Sequence, residues 1–304
     1  MEEVSLRTLL EKGSHFGHKV SRWHPKAKPY IYEAKDGIHI IDLSKTKMGL
    51  VAAALFVHKL GEEGKTFVML GTKRQARAVI SAIAQKEGIF YFTQHWVGGF
   101  ITNWEEIKKN VMKIRKMRKD KKEGGWKIYP KHEIVKMDKE LKKLELVYGG
   151  VVELENVPDA LFIIDLKKEG SAVKEATRRG VKVVAIVDTN TDPTPVDFPI
   201  PANDDAVGSI EYISDYIARS YVEGRMIAEK KGLIVVKPPV KEVIEEVKDT
   251  KTQSFKDIKE EKKEEAKEDV KEASKTQSVK EEKKEEEKPV EKKKKAGKPK
   301  KIKN

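Results

Sequence analysis

From residue 66 onward the chain alternates short, almost wholly apolar runs with longer stretches of helical period. The runs cover residues 66–70, 89–92, 161–164, 183–187 and, beyond a Pro-rich loop, 198–200. Each is too short for a helix and too uniformly apolar for a strand with one wet face, so all five predict strands buried on both sides. The intervening segments lead to helices ending near Gly88, over 171–179, and over 206–231, the last with Ile210, Ile213, Ile217, Tyr221 and Ile227 along its inner face. Apolar strands alternating with helices predict an α/β domain, a Rossmann-like parallel sheet of about five strands with helices on both faces and right-handed crossovers. Upstream, Ser5 is placed to cap a short helix with Leu6, Leu9 and Leu10 on its apolar side. Residues 13–30 are too rich in Gly, Pro and cations to be regular, and Ala34-Lys35-Asp36-Gly37 marks a hairpin turn between strands at 30–32 and 38–41. Ser44 then caps a helix to about Leu60, with Met48, Val51, Ala52, Leu55 and Leu60 among its apolar positions.

The period changes after the cluster Gln94-His95-Trp96-Val97-Gly98-Gly99-Phe100-Ile101-Thr102-Asn103. Trp104, Ile107, Val111 and Ile114 recur at steps of three and four, and after a break so do Ile134, Met137, Leu141, Leu144 and Tyr148. Each set is the apolar seam of one helix, and Gly124-Gly125 and Pro130 between them let the chain return. The expected object is a basic antiparallel helical hairpin, residues 104–149, inserted into an α/β domain made of 1–103 and 150–236.

Charge sharpens this division. The hairpin carries fifteen Lys and Arg against eight acids. Residues 1–236 hold 40 Lys and Arg against 32 acids, so the body outside the hairpin is close to neutral. A neutral body with one basic projection points to a polyanion engaged locally, although a solvated Lys/Glu face has the same composition. Residues 237–304 are a Lys/Glu mixture with Phe255 as their one aromatic, a composition expected to stay disordered. With no cysteine, no signal-like start and no run of membrane-spanning length, the sequence reads as a soluble cytoplasmic chain that needs no membrane.

Candidate chemistry is sparse. Gly64-Lys65-Thr66 fails as a phosphate loop because Lys59 stands where glycine is required, and no dinucleotide fingerprint is present. Asp165 and Asp188 sit at strand ends where α/β sheets place ligands. With His18, Asp188, Asp204 and Asp205 a divalent cation, Mg or Zn, is a candidate; equally, these carboxylates serve to cap helices and order turns. A metal-dependent phosphotransferase using Asp165, Asp188 and Asp204 is the enzymatic alternative, and a protein-binding adaptor using the hairpin is another. For RNA, the candidates are Arg22, Trp23, Lys26 and Lys28 in the N-terminal loop, Lys73 and Arg74 after the first parallel strand, and His95, Trp96 and Asn103 in the aromatic cluster. On the hairpin they are Lys108, Lys109, Lys113, Arg115, Lys116 and Lys119. Trp104 starts the apolar seam and is expected to pack; Trp96 suits either packing or stacking on a base.

Several longer stretches carry a resemblance. Gly13-Ser14-His15-Phe16-Gly17-His18, Trp23-His24-Pro25-Lys26, Gly71-Thr72-Lys73-Arg74, Trp96-Val97-Gly98-Gly99-Phe100-Ile101-Thr102-Asn103-Trp104, Ala185-Ile186-Val187-Asp188-Thr189-Asn190 and Ile200-Pro201-Ala202-Asn203-Asp204-Asp205-Ala206 are similar, in order, to the bacterial small-subunit ribosomal protein S-two family. The resemblance covers residues 5–231. It implies a flavodoxin-like sheet with a protruding hairpin and a role in translation, while the residues themselves lack a complete catalytic constellation, so no enzymatic activity is expected. It also implies binding to small-subunit ribosomal RNA and neighbouring ribosomal proteins, including recruitment of the large OB-repeat ribosomal protein numbered one. Where members usually place an arginine before the tryptophan, this chain has His95.

Overall fold

The structure, a computed structural model, describes residues 3–232; the Lys/Glu-rich stretch beyond 237 lies outside the described residues. The N-terminal part contains α1 (Leu6–Glu11) and a three-stranded antiparallel sheet of β1 (Phe16–Lys19), β2 (Ile31–Lys35) and β3 (Ile38–Ile41), in the order β1-β3-β2. Residues 13–30 are therefore more regular than their composition predicts. Phe16 pairs with Ile40 and Lys19 with Ile38, and short 3-10 turns at Val20–Arg22 and Pro25–Tyr30 carry the chain onward. A four-residue strand with a register shift shows no alternation to read in sequence. The β2–β3 turn is the two-residue type foreseen: Asp36 and Gly37 both take positive φ, 52° and 75°, matching the twist of the paired strands.

The helix α2 (Leu43–Glu62) opens on Asp42, whose side chain accepts from the Ser44 N–H, so the cap lies two residues before Ser44. Then follow β4 (Phe67–Leu70), α3 (Arg74–Glu87), β5 (Phe90–Phe92), α4 (Trp104–Lys122), α5 (Lys131–Tyr148), β6 (Ala160–Ile163), α6 (Gly170–Arg179), β7 (Lys182–Val187), β8 (Phe198–Pro201) and α7 (Val207–Lys230). The last five strands form one parallel sheet ordered β5-β4-β6-β7-β8, the flavodoxin-like arrangement, whose strand order reverses between β4 and β6.

Alternation along the strands divides the core in two. Phe67, Met69, Phe162, Val184 and Ile186 pack with α2, α3 and α7. Val68, Leu70, Leu161, Ile163, Val183 and Val187 pack with α6, the aromatic cluster and the start of α4. Helices thus cover both faces, as the uniformly apolar strands require.

Two helix faces differ from expectation. In α1 Leu9 is buried while Leu6 and Leu10 are exposed, and in α2 Met48 and Leu55 point to solvent. The buried side of α2 is Leu50, Ala53, Ala54, Val57, Leu60 and Gly61. Its small residues, Ala53, Ala54 and Gly61, let α7 cross close by: a Cβ on Gly61 would stand 2.5 Å from the Tyr221 carbonyl oxygen, and one on Gly224 only 2.0 Å from that of His58. Gly224→Ala must force the helices apart, costing about 1–3 kcal/mol. The expected result is a lower denaturant midpoint at unchanged slope; an unchanged midpoint would show the crossing to be soft.

Candidate nucleic-acid interface

The aromatic cluster is the foundation under α4. Phe92, Trp96, Phe100 and Trp104 stack edge to face in series, with centroids 4.8–5.7 Å apart. One carboxylate fixes the loop between them. Glu175, on α6, accepts from Trp96 Nε1 at 3.2 Å and from the backbone N–H groups of Gly99, Ile101 and Thr102 at 2.8, 3.1 and 3.4 Å. Burial disfavours its charge, but these donors outweigh burial and hold its pKa below the ordinary 4.5. Arg179, one turn on, donates to the Thr102 carbonyl at 2.7 Å. Trp96 is 9% exposed and so packs in the core, with no open face for a base. Trp104 is half-buried, its Nε1 donating to the Glu155 carbonyl.

From this foundation α4 runs out and α5 returns. Ile107, Val111, Ile114, Met117, Leu141 and Tyr148 are buried along the seam, and Trp126, in the turn, closes its far end. Antiparallel packing is fixed by ion pairs across the helices: Lys113 with Glu140, Arg118 with Glu145 at 2.7 Å, and Lys121 with Asp138 at 2.8 Å. Lys109 and Lys119 pair within α4 with Glu106 and Glu123. Arg115 donates to the Val152 carbonyl at 2.7 Å and faces Glu153. The cations that form no salt bridge among the described residues include Lys108, Lys116, Lys136, Lys139 and Lys143, all exposed. Of the six hairpin candidates, then, Lys108 and Lys116 present uncompensated charge.

The N-terminal candidates are split similarly. Arg22, Trp23 and Lys28 are exposed, with the Trp23 ring 5.5 Å from that of His39, whereas Lys26 pairs with Asp192 at 2.7 Å. Arg74, His95 and Asn103 are exposed near the sheet's C-terminal edge. Lys73 is different: its ammonium lies 2.7 Å from Asp205, 2.8 Å from Asp204 and 3.8 Å from Asp165. Burial opposes its charge, yet hydrogen bonds to Asp204 and Asp205 raise its pKa. Lys73 is thus enclosed by carboxylates, unlike the exposed Arg74 beside it.

These carboxylates belong to a cluster that joins the N-terminal sheet to the C-terminal edge of the parallel one. His18 Nδ1 lies 3.0 Å from Asp188 Oδ1 and its Nε2 3.5 Å from Asp205 Oδ2. One ligand atom each from His18, Asp188 and Asp204 falls within 4.8 Å of the others. The hydrogen bond to Asp188 raises the His18 pKa, and burial, with the Asp188 charge beside it, pushes the Asp204 carboxyl up to about 7. Further ties run alongside: His18 N–H donates to Thr189 Oγ1, His24 N–H to the Thr189 carbonyl, and Asn203 Nδ2 to the Gly13 carbonyl. At the strand-order reversal itself, Thr72 donates to Glu169 and the Lys168 ammonium donates to the Thr72 carbonyl, filling the crevice with the chain's own groups.

Sequence reading missed Glu175 and the enclosure of Lys73. Their partners are 79 and 131 residues away, so no local spacing announces them.

A flavodoxin-like sheet bearing a basic antiparallel helix pair, with its crevice filled by internal hydrogen bonds, defines the class of α/β protein. The chain belongs to the ribosomal protein S2 family, whose profile matches residues 9–224. It is 43% identical over 230 residues to the small ribosomal subunit protein uS2 of Koribacter versatilis (strain Ellin345), covering 76% of each chain. It is 45% identical to that of Coprothermobacter proteolyticus over 225 residues, 74% of this chain and 84% of the relative. With that of Dictyoglomus turgidum it shares 43% identity over 237 residues, 78% of this chain and 96% of the relative.

Proposed function

We propose that this protein is a non-catalytic structural constituent of the small ribosomal subunit, binding small-subunit ribosomal RNA and neighbouring ribosomal proteins in translation. Beside family membership, the observation that carries this reading is the uncompensated lysine charge along α4 and α5, set on a foundation of packed aromatics. Residues 104–149 act as the gripping unit and the discontinuous α/β domain as its mount. Arg22, Trp23, Lys28, Arg74, His95 and Asn103 form a second, smaller set of contacts at the sheet edge. Recruitment of the large OB-repeat ribosomal protein numbered one and residence on cytoplasmic ribosomes follow from the family resemblance. Among the described residues no helix is long and apolar enough to cross a membrane. Of Asp165, Asp188 and Asp204, the acids a phosphotransferase would enlist, Asp165 and Asp204 face Lys73 and Asp188 faces His18. Cosedimentation with small subunits at physiological salt tests the assignment; a folded chain absent from that fraction overturns it. Mapping crosslinked peptides separates RNA from the adaptor alternative, which requires protein adducts alone on 104–149.

A bound cation is a second reading, favoured by the convergence of His18, Asp188 and Asp204. One imidazole with two carboxylates suits Zn better than Mg, which takes oxygen ligands. The ion must draw Asp204 away from Lys73. Binding only the folded state, Zn at a hundredfold excess over its Kd adds about 2.7 kcal/mol. Added Zn is expected to raise the melting midpoint of wild type and leave Asp188→Asn unmoved, with chelator reversing the gain; equal midpoints throughout and no metal by elemental analysis exclude the site.

A further inference from the structure

Beside α6 a groove of about 590 Å³ opens between the start of α6 and the loop after β7. The volume falls in the range of small-ligand sites, about 300–1,000 Å³. Its floor is apolar: Leu166 and Val173 are buried beneath it and Pro195 forms one wall. Its rim is cationic. Lys167, Lys174 and Arg178 all line it, are exposed, and make no salt bridge among the described residues. The one acid on the rim, Asp192, is already paired with Lys26 at 2.7 Å. Asn190 also lines the groove, and its Oδ1 is buried with no hydrogen-bond partner.

An apolar floor beneath three free cations describes the complement of a nucleotide. A base has a flat face for Leu166, Val173 and Pro195, while flanking phosphates suit Lys167, Lys174 and Arg178. We infer that this groove is a second RNA subsite, which takes one unstacked nucleotide from a single-stranded bulge or loop. The inference rests on the RNA-binding reading above and adds to it a subsite that reads an exposed base, whereas the lysines of α4 and α5 meet backbone charge. An acidic peptide with an apolar anchor would match the same rim and floor, and the crosslinking outcomes below separate it from RNA.

The test uses the full chain with short single-stranded homopolymeric oligoribonucleotides, followed by anisotropy across a salt series and by ultraviolet crosslinking with peptide mapping. Thr177→Trp places a bulky ring at the groove mouth from an exposed position and is expected to weaken oligonucleotide binding about fivefold at unchanged salt slope. Lys174→Gln with Arg178→Gln is expected to flatten the log-log slope by about one to two units. Nucleotide adducts are expected on residues 166–178 or 190–195. Binding by a folded Thr177→Trp chain equal to wild type, or adducts confined to 104–149, overturns the subsite while leaving the RNA reading intact. Protein adducts alone at the groove, obtained from assembled subunits, identify a peptide occupant and likewise overturn it. Absence of binding to both oligonucleotides and small-subunit ribosomal RNA defeats the RNA reading itself. If Thr177→Trp does not fold, the slope of the folded Lys174→Gln, Arg178→Gln chain decides, and an unchanged slope overturns the subsite.

Discussion

Glu175→Ala lowers the thermal midpoint by about 5–15 °C. Removing one carboxylate strands the Trp96 indole N–H and the backbone N–H groups of Gly99, Ile101 and Thr102, which turn inward around it. Half-buried donors without partners cost about 1 kcal/mol each, for a total of about 3–4 kcal/mol. In a domain of this size each kcal/mol shifts the midpoint by about 2–4 °C. Glu175→Gln keeps one acceptor oxygen and loses the charge, so its loss is smaller. Because the folded-state pKa of Glu175 lies below the ordinary 4.5, its contribution is complete above 4.5 and disappears as pH falls through the depressed value. The gap between wild type and Glu175→Gln is therefore expected to be constant near neutrality and to close in acid. Calorimetry or circular dichroism melts across pH measure this; a gap that persists into strong acid would show that packing, not charge, is what Glu175 supplies. RNA affinity should fall with it, since α4 starts from the loop it holds.

Replacing Lys108, Lys116 and Lys139 with Gln produces the largest change in RNA binding. Each is exposed and uncompensated, so each neutralises about one phosphate and contributes roughly 0.7–0.9 to the log-log salt slope. The triple change flattens the slope by about two to three units, equivalent to about 20- to 40-fold over a fourfold change in salt. Replacing Lys109, Lys113 and Lys119, which already face Glu106, Glu140 and Glu123, changes the slope less. The pattern of ion pairs, invisible in a count of charges, separates the two sets. Equal slopes for wild type and the first variant, both folded, would place the RNA contact elsewhere.

What could be read in advance followed the range of the interactions involved. The five parallel strands were legible because burial on both faces makes each one a continuous apolar run, and the α4 and α5 seams because their period is local. Asp188 could be placed at a strand end from its local sequence, but nothing local placed His18 beside it. The outward turn of Met48 and Leu55 was not legible, because the close crossing of α7 selects alanine and glycine on α2 in place of its larger apolar residues. Glu175 and Lys73 stayed hidden for a related reason: each reads as one more surface charge until the fold brings distant donors and acceptors around it.

The crossing of α2 and α7 also sets an order of events during synthesis. Leu50, Ala53 and Val57 belong to the same core as Ile210, Ile213 and Ile217, and Tyr221 reaches back across 156 residues to the Lys65 carbonyl. A ribosome translating this chain releases α2 long before α7, so one side of the nascent sheet stays wet until the last helix emerges. Chains stalled before residue 207 leave that apolar surface uncovered, and exposed surface of this kind is prone to aggregate.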